Sequence, residues 1–128
     1  MKENEISFYV RKSIFSVYNE LGPGLLEKVY EKVLVHELQN NGLKVRSQVP
    51  MNIKFKDVFI DSSFITDIIV EDKVIIEVKA VTEINNIHHQ QLLTYLKLTG
   101  LKLGILVNFN TDYIDKSIFR KVNGKLDW

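Results

Sequence analysis

The sequence contains no cysteine, two prolines, six glycines and one tryptophan in 128 residues. Without cysteine there is no disulfide framework, no thiolate zinc site and no thiol nucleophile. The scarcity of proline and glycine, beside 45% hydrophobic residues, excludes a disordered or low-complexity chain. No apolar run approaches the roughly eighteen residues of a membrane span. Glu3 and Glu5 precede the first apolar stretch, which is unlike a signal peptide. A cytoplasmic protein that does not engage membranes is the expectation. Neither sign of charge dominates. Lys plus Arg number 17 and Asp plus Glu 16, for a net charge of +1. The halves are balanced too, with nine basic and eight acidic residues in 1–64, and eight of each in 65–128. That balance speaks against broad electrostatic wrapping of nucleic acid.

What is present suits one folded domain. A chain of this mass exposes about 7,000 Å² when folded, against about 21,600 Å² when open, enough burial for a single core. Residues 1–128 therefore read as one domain. Ile6, Tyr9, Val10, Ile14, Val17 and Leu21 recur at helical spacing and predict a helix over 5–20. Gly22-Pro23-Gly24 breaks it. Leu26, Val29, Tyr30, Val33, Leu34 and Leu38 predict a second helix that stops at Gly42. Met51, Ile53 and Phe55 alternate with polar residues, as in a half-buried strand. The segments 64–70 and 73–79 are rich in β-branched residues and flank Glu71-Asp72, a hairpin pattern. Residues 87–99 return to helical spacing, and Leu103 to Val107 is a short apolar strand. The order α-α-β-β-β-α-β describes an α/β (α+β) domain with a mixed sheet, while 112–125 carries no clear pattern.

Chemistry concentrates around the hairpin. Glu77 and Lys79 are two apart and project from one strand face; Asp67 lies on the preceding strand, on the face of Ile65 and Ile69 by parity. Two carboxylates and one ammonium on an apolar sheet need compensation, because buried charges cost several kcal/mol unless paired or bound to a metal. A divalent cation supplies that, and Mg²⁺ is commonly held by one or two carboxylates. On spacing alone an ion pair on a wet sheet face is the commoner explanation. Glu71-Asp72-Lys73 repeats the Glu-x-Lys spacing in a turn, where solvated charge is expected. His88, Gln91 and Tyr95 form one stripe of the third helix; on spacing alone a helix-start histidine and a Gln/Tyr pair at the rim of the core are the preferred explanation. Glu27, three residues after Gly24, reads first as an N3 capping residue. His88 and His89 make no metal-ligand spacing with other residues. Lys116, Arg120 and Lys121, followed by Lys125, are candidate phosphate contacts, although such a cluster is more often a solvated tail.

The run from Val17 to Glu31, with Gly24, Glu27 and Tyr30 at the defining spacing, resembles the GxxExxY protein family. The likeness resumes at Asp67, Glu77-Val78-Lys79-Ala80, His88, Gln91-Leu92-Leu93, Tyr95-Leu96, Thr99-Gly100-Leu101 and Val107-Asn108-Phe109. That family looks like a branch of the PD-(D/E)XK nuclease superfamily. The resemblance implies a restriction-endonuclease-like αβββαβ core over 22–110. The N-terminal helix, 1–21, and a C-terminal extension, 111–128, would be additions. It implies Asp67, Glu77 and Lys79 as catalytic triad and Glu27 as an additional acid. Gln91 and Tyr95 would be the Gln-x-x-x-Tyr element facing the same site. Mg²⁺ or Mn²⁺ would be held by Asp67, Glu77, Glu27 and the Val78 carbonyl, and Lys79 would orient the attacking water. His88, Lys116, Arg120 and Lys121 are weaker candidates for substrate contact. The implied activity is hydrolysis of phosphodiester bonds, in DNA first and RNA second. The alternative is a non-catalytic nucleic-acid- or protein-binding module in a repair or defence system. A homodimer through exposed apolar faces of the first helix is a further expectation.

Overall fold

The computed structural model describes residues 1–126, excepting the side chains of Ser62 and Ser63. Asp127 and Trp128, the end of the expected extension, lie outside the described residues. Helix α1 spans Glu3–Leu21 and α2 spans Glu27–Asn40. Strands β1 (Val45–Phe55), β2 (Val58–Val70) and β3 (Val74–Lys79) follow. Then come α3 (Asn86–Thr99), β4 (Leu103–Asn108), a 3₁₀ turn (Ile114–Lys116) and β5 (Ile118–Val122).

The helix ends follow local chemistry. After α2, Leu43 N–H reaches the Leu38 carbonyl at 3.2 Å and Gly42 N–H the Gln39 carbonyl at 2.9 Å, with Gly42 at φ 81°. This is the paired-bond stop that a glycine at C′ permits. α3 ends at Gly100, also left-handed. The α2 start differs from expectation. Leu26 is the N-cap, so Glu27 is the first helical residue and not N3. The physical reason is the preceding loop. The buried Tyr30 hydroxyl donates to the Gly22 carbonyl and accepts Leu25 N–H at 3.1 Å, while its ring stacks on Phe109 at 4.5 Å. These bonds fix the Gly22–Leu25 loop, and the helix begins only after Leu26.

Five strands form one sheet in the order β1-β2-β3-β4-β5. β3 and β4 are parallel, joined across α3, and the other neighbours are antiparallel. The tail that carried no pattern thus supplies an edge strand: Ile118–Val122 pairs with β4. Its alternation is too short and too half-buried to stand out from polar surroundings. α1 and α2 cover one face, where Ile6, Val10, Ile14, Tyr30, Leu34 and Leu38 pack on Ile68, Ile76, Val78, Ile105 and Val107. The apolar stripe of α1 is therefore used inside this core. α3 covers the other face, packing Leu92 and Leu96 on Ile69, Ile75 and Leu106. Gly104 permits that approach, since a Cβ there would meet Leu92 Cδ1 at 2.7 Å.

Two irregularities shape the end of the sheet where Lys79 and Asn108 lie. First, β1 and β2 reverse faces part-way. Parity would keep Val45, Val49 and Met51 together. Val45 packs with the α1/α2 layer, yet Val49 and Met51 pack in the α3 layer. On β2, Ile68 joins the α1/α2 layer, whereas Phe64, of the same parity, stacks on Tyr95 of α3 at 4.1 Å. The reversal falls between the pairs Ser47↔Ile68 and Val49↔Thr66, where Gln48 lies across from Asp67. Gln48 has φ 50°, left-handed backbone inside a strand. Counting parity from Ile69 therefore does not place Asp67. Second, the β2–β3 ladder runs from Val70↔Val74 to Ile68↔Ile76. Beyond it, the Asp67 carboxylate accepts Val78 N–H at 2.9 Å in place of a backbone partner.

Candidate active site

The splayed end of β2 and β3 brings acids together. Asp67 sits at the face reversal of β2 and Glu77 near the end of β3. The two carboxyl groups are close enough for the Asp67 charge to act on Glu77. Glu77 is only 6% exposed and its Oε1 is buried with no hydrogen-bond partner among the described residues. Burial first, then the neighbouring Asp67 charge, pushes the Glu77 carboxyl up to about 9, opposed by Lys79. Lys79, half-buried, closes β3; its carbonyl accepts Phe109 N–H at 2.9 Å. Beside it, the buried Asn108 amide accepts Val81 N–H and donates to the Val81 carbonyl, at 3.0 and 2.9 Å. Asn108 thereby clamps the chain leaving Lys79.

α3 contributes Tyr95. Its hydroxyl is pushed above its ordinary range by burial, then by the Glu77 and Asp67 charges. The Phe64 stack fixes its ring. Gln91, one turn earlier, is solvent-exposed. His88 is engaged locally, its Nδ1 accepting Asn85 N–H at 3.0 Å at the helix start.

α2 contributes a residue that the sequence reading passed over. Glu31 shares a cleft with Asp67, and Gln48 Nε2 donates to Glu31 Oε1 at 2.8 Å. Burial, followed by the Asp67 charge, raises the Glu31 carboxyl to about 6. Glu27, one turn before it, adds its charge. Glu27, Lys28, Glu31, Lys32, Gln48 and Asp67 line an open cleft of about 450 Å³. The available signal was the i, i+4 spacing of Glu27 and Glu31, which puts both acids on one helix face.

The basic tail residues are dispersed. Arg120 pairs across from Ile105 and Lys121 from Gly104, on opposite sheet faces. Arg120 donates to Asn4 Oδ1 at 2.6 Å, and Lys116 lies over the Tyr113 ring. In the β2–β3 turn, Glu71 and Asp72 are at the surface but not merely solvated. Asp72 pairs with Lys44 and Arg46 at 3.0 and 2.9 Å, and Glu71 accepts Lys44 N–H at 2.6 Å.

Among the described residues, no three His, Cys, Asp or Glu side chains are grouped so as to hold a metal ion by themselves. The chemistry of the Asp67–Glu77 pair nevertheless suits a divalent cation. Two adjacent carboxylates repel when ionised, and the partnerless Glu77 oxygen is a buried acceptor needing a positive group. No described helix is long and apolar enough to cross a membrane. Residues 4–121 match a family model described as the PD-(D/E)XK nuclease superfamily. No curated protein and no solved structure matches the chain.

Proposed function

Because the chain belongs to the PD-(D/E)XK nuclease superfamily, we propose that it is a divalent-metal-dependent nuclease hydrolysing phosphodiester bonds, in DNA before RNA. The observation that carries this reading is the buried Glu77 beside Asp67, with an oxygen left without a partner. The spacing of Gly24, Glu27 and Tyr30 supports a place in the GxxExxY branch.

Asp67 and Glu77 are the side chains that would hold Mg²⁺ or Mn²⁺, with the Val78 carbonyl and Glu27 as further donors. When bound, the ion supplies positive charge that offsets the carboxylates and the developing charge on the phosphate. The chain's own groups do the rest. Val78 N–H orients Asp67. Lys79, beside Glu77 at the end of β3, orients the water that attacks phosphorus as the bond to the leaving oxygen breaks. Tyr95 presents a phenol donor to a phosphate oxygen. Gln91 and His88, nearer solvent on α3, and Lys116 at the same end of the sheet contact the strand outside the reacting centre. Arg120 and Lys121 lie farther along β5 and would add only peripheral phosphate contacts.

The test is direct. Purified protein incubated with single- and double-stranded DNA and RNA in Mg²⁺ or Mn²⁺ is expected to cleave at least one of them. Asp67→Asn and Lys79→Ala are each expected to lower the rate by about 100-fold or more. Cleavage by Lys79→Ala at the wild-type rate, or no cleavage of any substrate, would refute the reading.

A further inference from the structure

Two lysines of α2 run against the local rules of a helix. Lys28 is the second residue of α2, in the first turn, where the helix dipole disfavours a cation. Lys32 follows at i+4, so the two ammonium groups repel along one helix face. Nothing local offsets either effect. Both side chains are exposed, and among the described residues neither forms an ion pair or a hydrogen bond. Glu31 is within reach of Lys28 by its i, i+3 spacing, yet its Oε1 accepts from Gln48 Nε2 at 2.8 Å.

Their place on the helix gives the reason. Tyr30, Leu34 and Leu38 form the buried stripe of α2. Glu27 and Glu31, three residues before Tyr30 and Leu34, adjoin that stripe and are half-buried. Lys28 and Lys32 stand about 100° farther round the helix, on its outer side. All four line one cleft with Gln48 and Asp67. The cleft thus has a basic outer rim beside its acids, and a polyanion arriving from solvent meets the rim first.

Resting on the nuclease reading, we propose that Lys28 and Lys32 bind two phosphates of one nucleic-acid strand and lay that strand along α2, over the cleft that holds Asp67. Side chains at i and i+4 are neighbours, with Cβ atoms about 5–6 Å apart, so the pair forms a short row and not a single point of charge. A strand on the row neutralises the repulsion that the free helix carries. The basic residues near the C-terminus make a poorer track. Arg120 and Lys121 point to opposite faces of the sheet, and Arg120 is held by Asn4.

The experiment is fluorescence-anisotropy binding of labelled single- and double-stranded DNA and RNA oligonucleotides over a range of salt. It uses the intact protein in chelator and, to slow cleavage, the Asp67→Asn protein in Mg²⁺. Lys28→Gln with Lys32→Gln keeps good helix formers and removes both charges. This double variant is expected to bind about 10-fold or more weakly at low salt. Its slope of log affinity against log salt is expected to be shallower by about 1.4 for a single strand or about 1.8 for a duplex. It is also expected to unfold at the same or a higher temperature than wild type, because the like-charge pair is gone. In cleavage assays its KM should rise while kcat stays within about threefold. Replacing Lys116, Arg120 and Lys121 together by Gln is expected to weaken binding less than the α2 pair does. A mononucleotide is expected not to compete at concentrations where the oligonucleotide saturates. If the double variant binds within twofold of wild type with an unchanged salt slope while cleavage persists, the lysine row is refuted and the nuclease reading stands. A lower unfolding temperature, a fall in kcat at unchanged KM, or competition by the mononucleotide at equal concentration would each refute the row as well. A protein that binds no oligonucleotide in either condition refutes it outright, and the cleavage assay then decides the nuclease reading separately.

Discussion

Glu77 concentrates the conflict between folding and function in one side chain. Nearly full burial and the adjacent Asp67 charge favour its protonated form, with a carboxyl raised to about 9 from an ordinary value near 4.5. Between those values the folded chain binds more protons than the unfolded chain, so stability falls as pH rises. Glu31, raised to about 6, adds the same sign over a narrower window. In chelator, the unfolding temperature is therefore expected to decline from about pH 5 towards pH 9. Glu77→Gln is expected to flatten the decline above pH 6. An unfolding temperature that rises over this range in wild type would contradict the placement of Glu77. Tyr30 shows the converse, a signature residue with an architectural task. Its hydroxyl pins the Gly22–Leu25 loop and its ring packs on Phe109, which sets where α2 begins and hence where Glu27 and Glu31 stand.

At the scale of elements, close approach and turn geometry position the site. α3 must lie close to the sheet for Tyr95 to feel the Glu77 charge, and Gly104 provides the room. Gly104→Ala forces its Cβ into Leu92 and is expected to destabilise by about 1–3 kcal/mol, read as a lower urea midpoint at unchanged slope. Adding Leu92→Val should recover part of that loss. If Gly104→Ala leaves the midpoint unchanged, the helix is not held against the strand as described. The β2–β3 hairpin is a second case. Glu71 and Asp72 both adopt positive φ, 53° and 55°, as a two-residue turn of this hand requires, although neither is glycine. Lys44, just before β1, and Arg46 within it hold Asp72, whose carboxyl they lower against a smaller opposing effect of desolvation, and the Lys44 N–H holds the Glu71 carboxylate. The turn fixes the register that places Ile68 opposite Ile76, and with it the point at which the strands part.

For the whole molecule, the sheet is completed by a segment that the resemblance placed outside the core. β5 pairs along β4, Phe119 packs in the α3 layer, and Asn123 donates to the Leu96 and Leu101 carbonyls at the end of α3. Truncation after residue 110 is therefore expected to abolish cooperative unfolding, as judged by circular dichroism on heating. A truncated chain that melts as wild type does would restore 22–110 as a self-sufficient core. The overall charge also takes its place at this scale. A net charge of +1 supplies little general attraction for nucleic acid. Acids collected in one cleft, however, make the local sign depend on the ion they hold.

The local patterns were legible because they depend on neighbours along the chain. Helical spacing, the glycine at 42, the apolar strands and the Glu77-x-Lys79 pair follow from periodicity and turn chemistry, and their order already indicated a mixed α/β sheet. The extent of β1 and β2 was not legible, because their outer halves form a ribbon whose register shifts between Met51 and Ile53 and whose exposure hides alternation. Nor was β5, which is a strand only because β4 offers it an edge. The acidic site divides in the same way. Asp67, Glu77 and Lys79 could be picked out by residue type and spacing. That Asp67 bonds Val78 N–H and shares a cleft with Glu31 and Gln48 was decided by tertiary structure. Strand parity is a rule about regular backbone, and one left-handed residue in a strand, Gln48, marks the place where that rule stops.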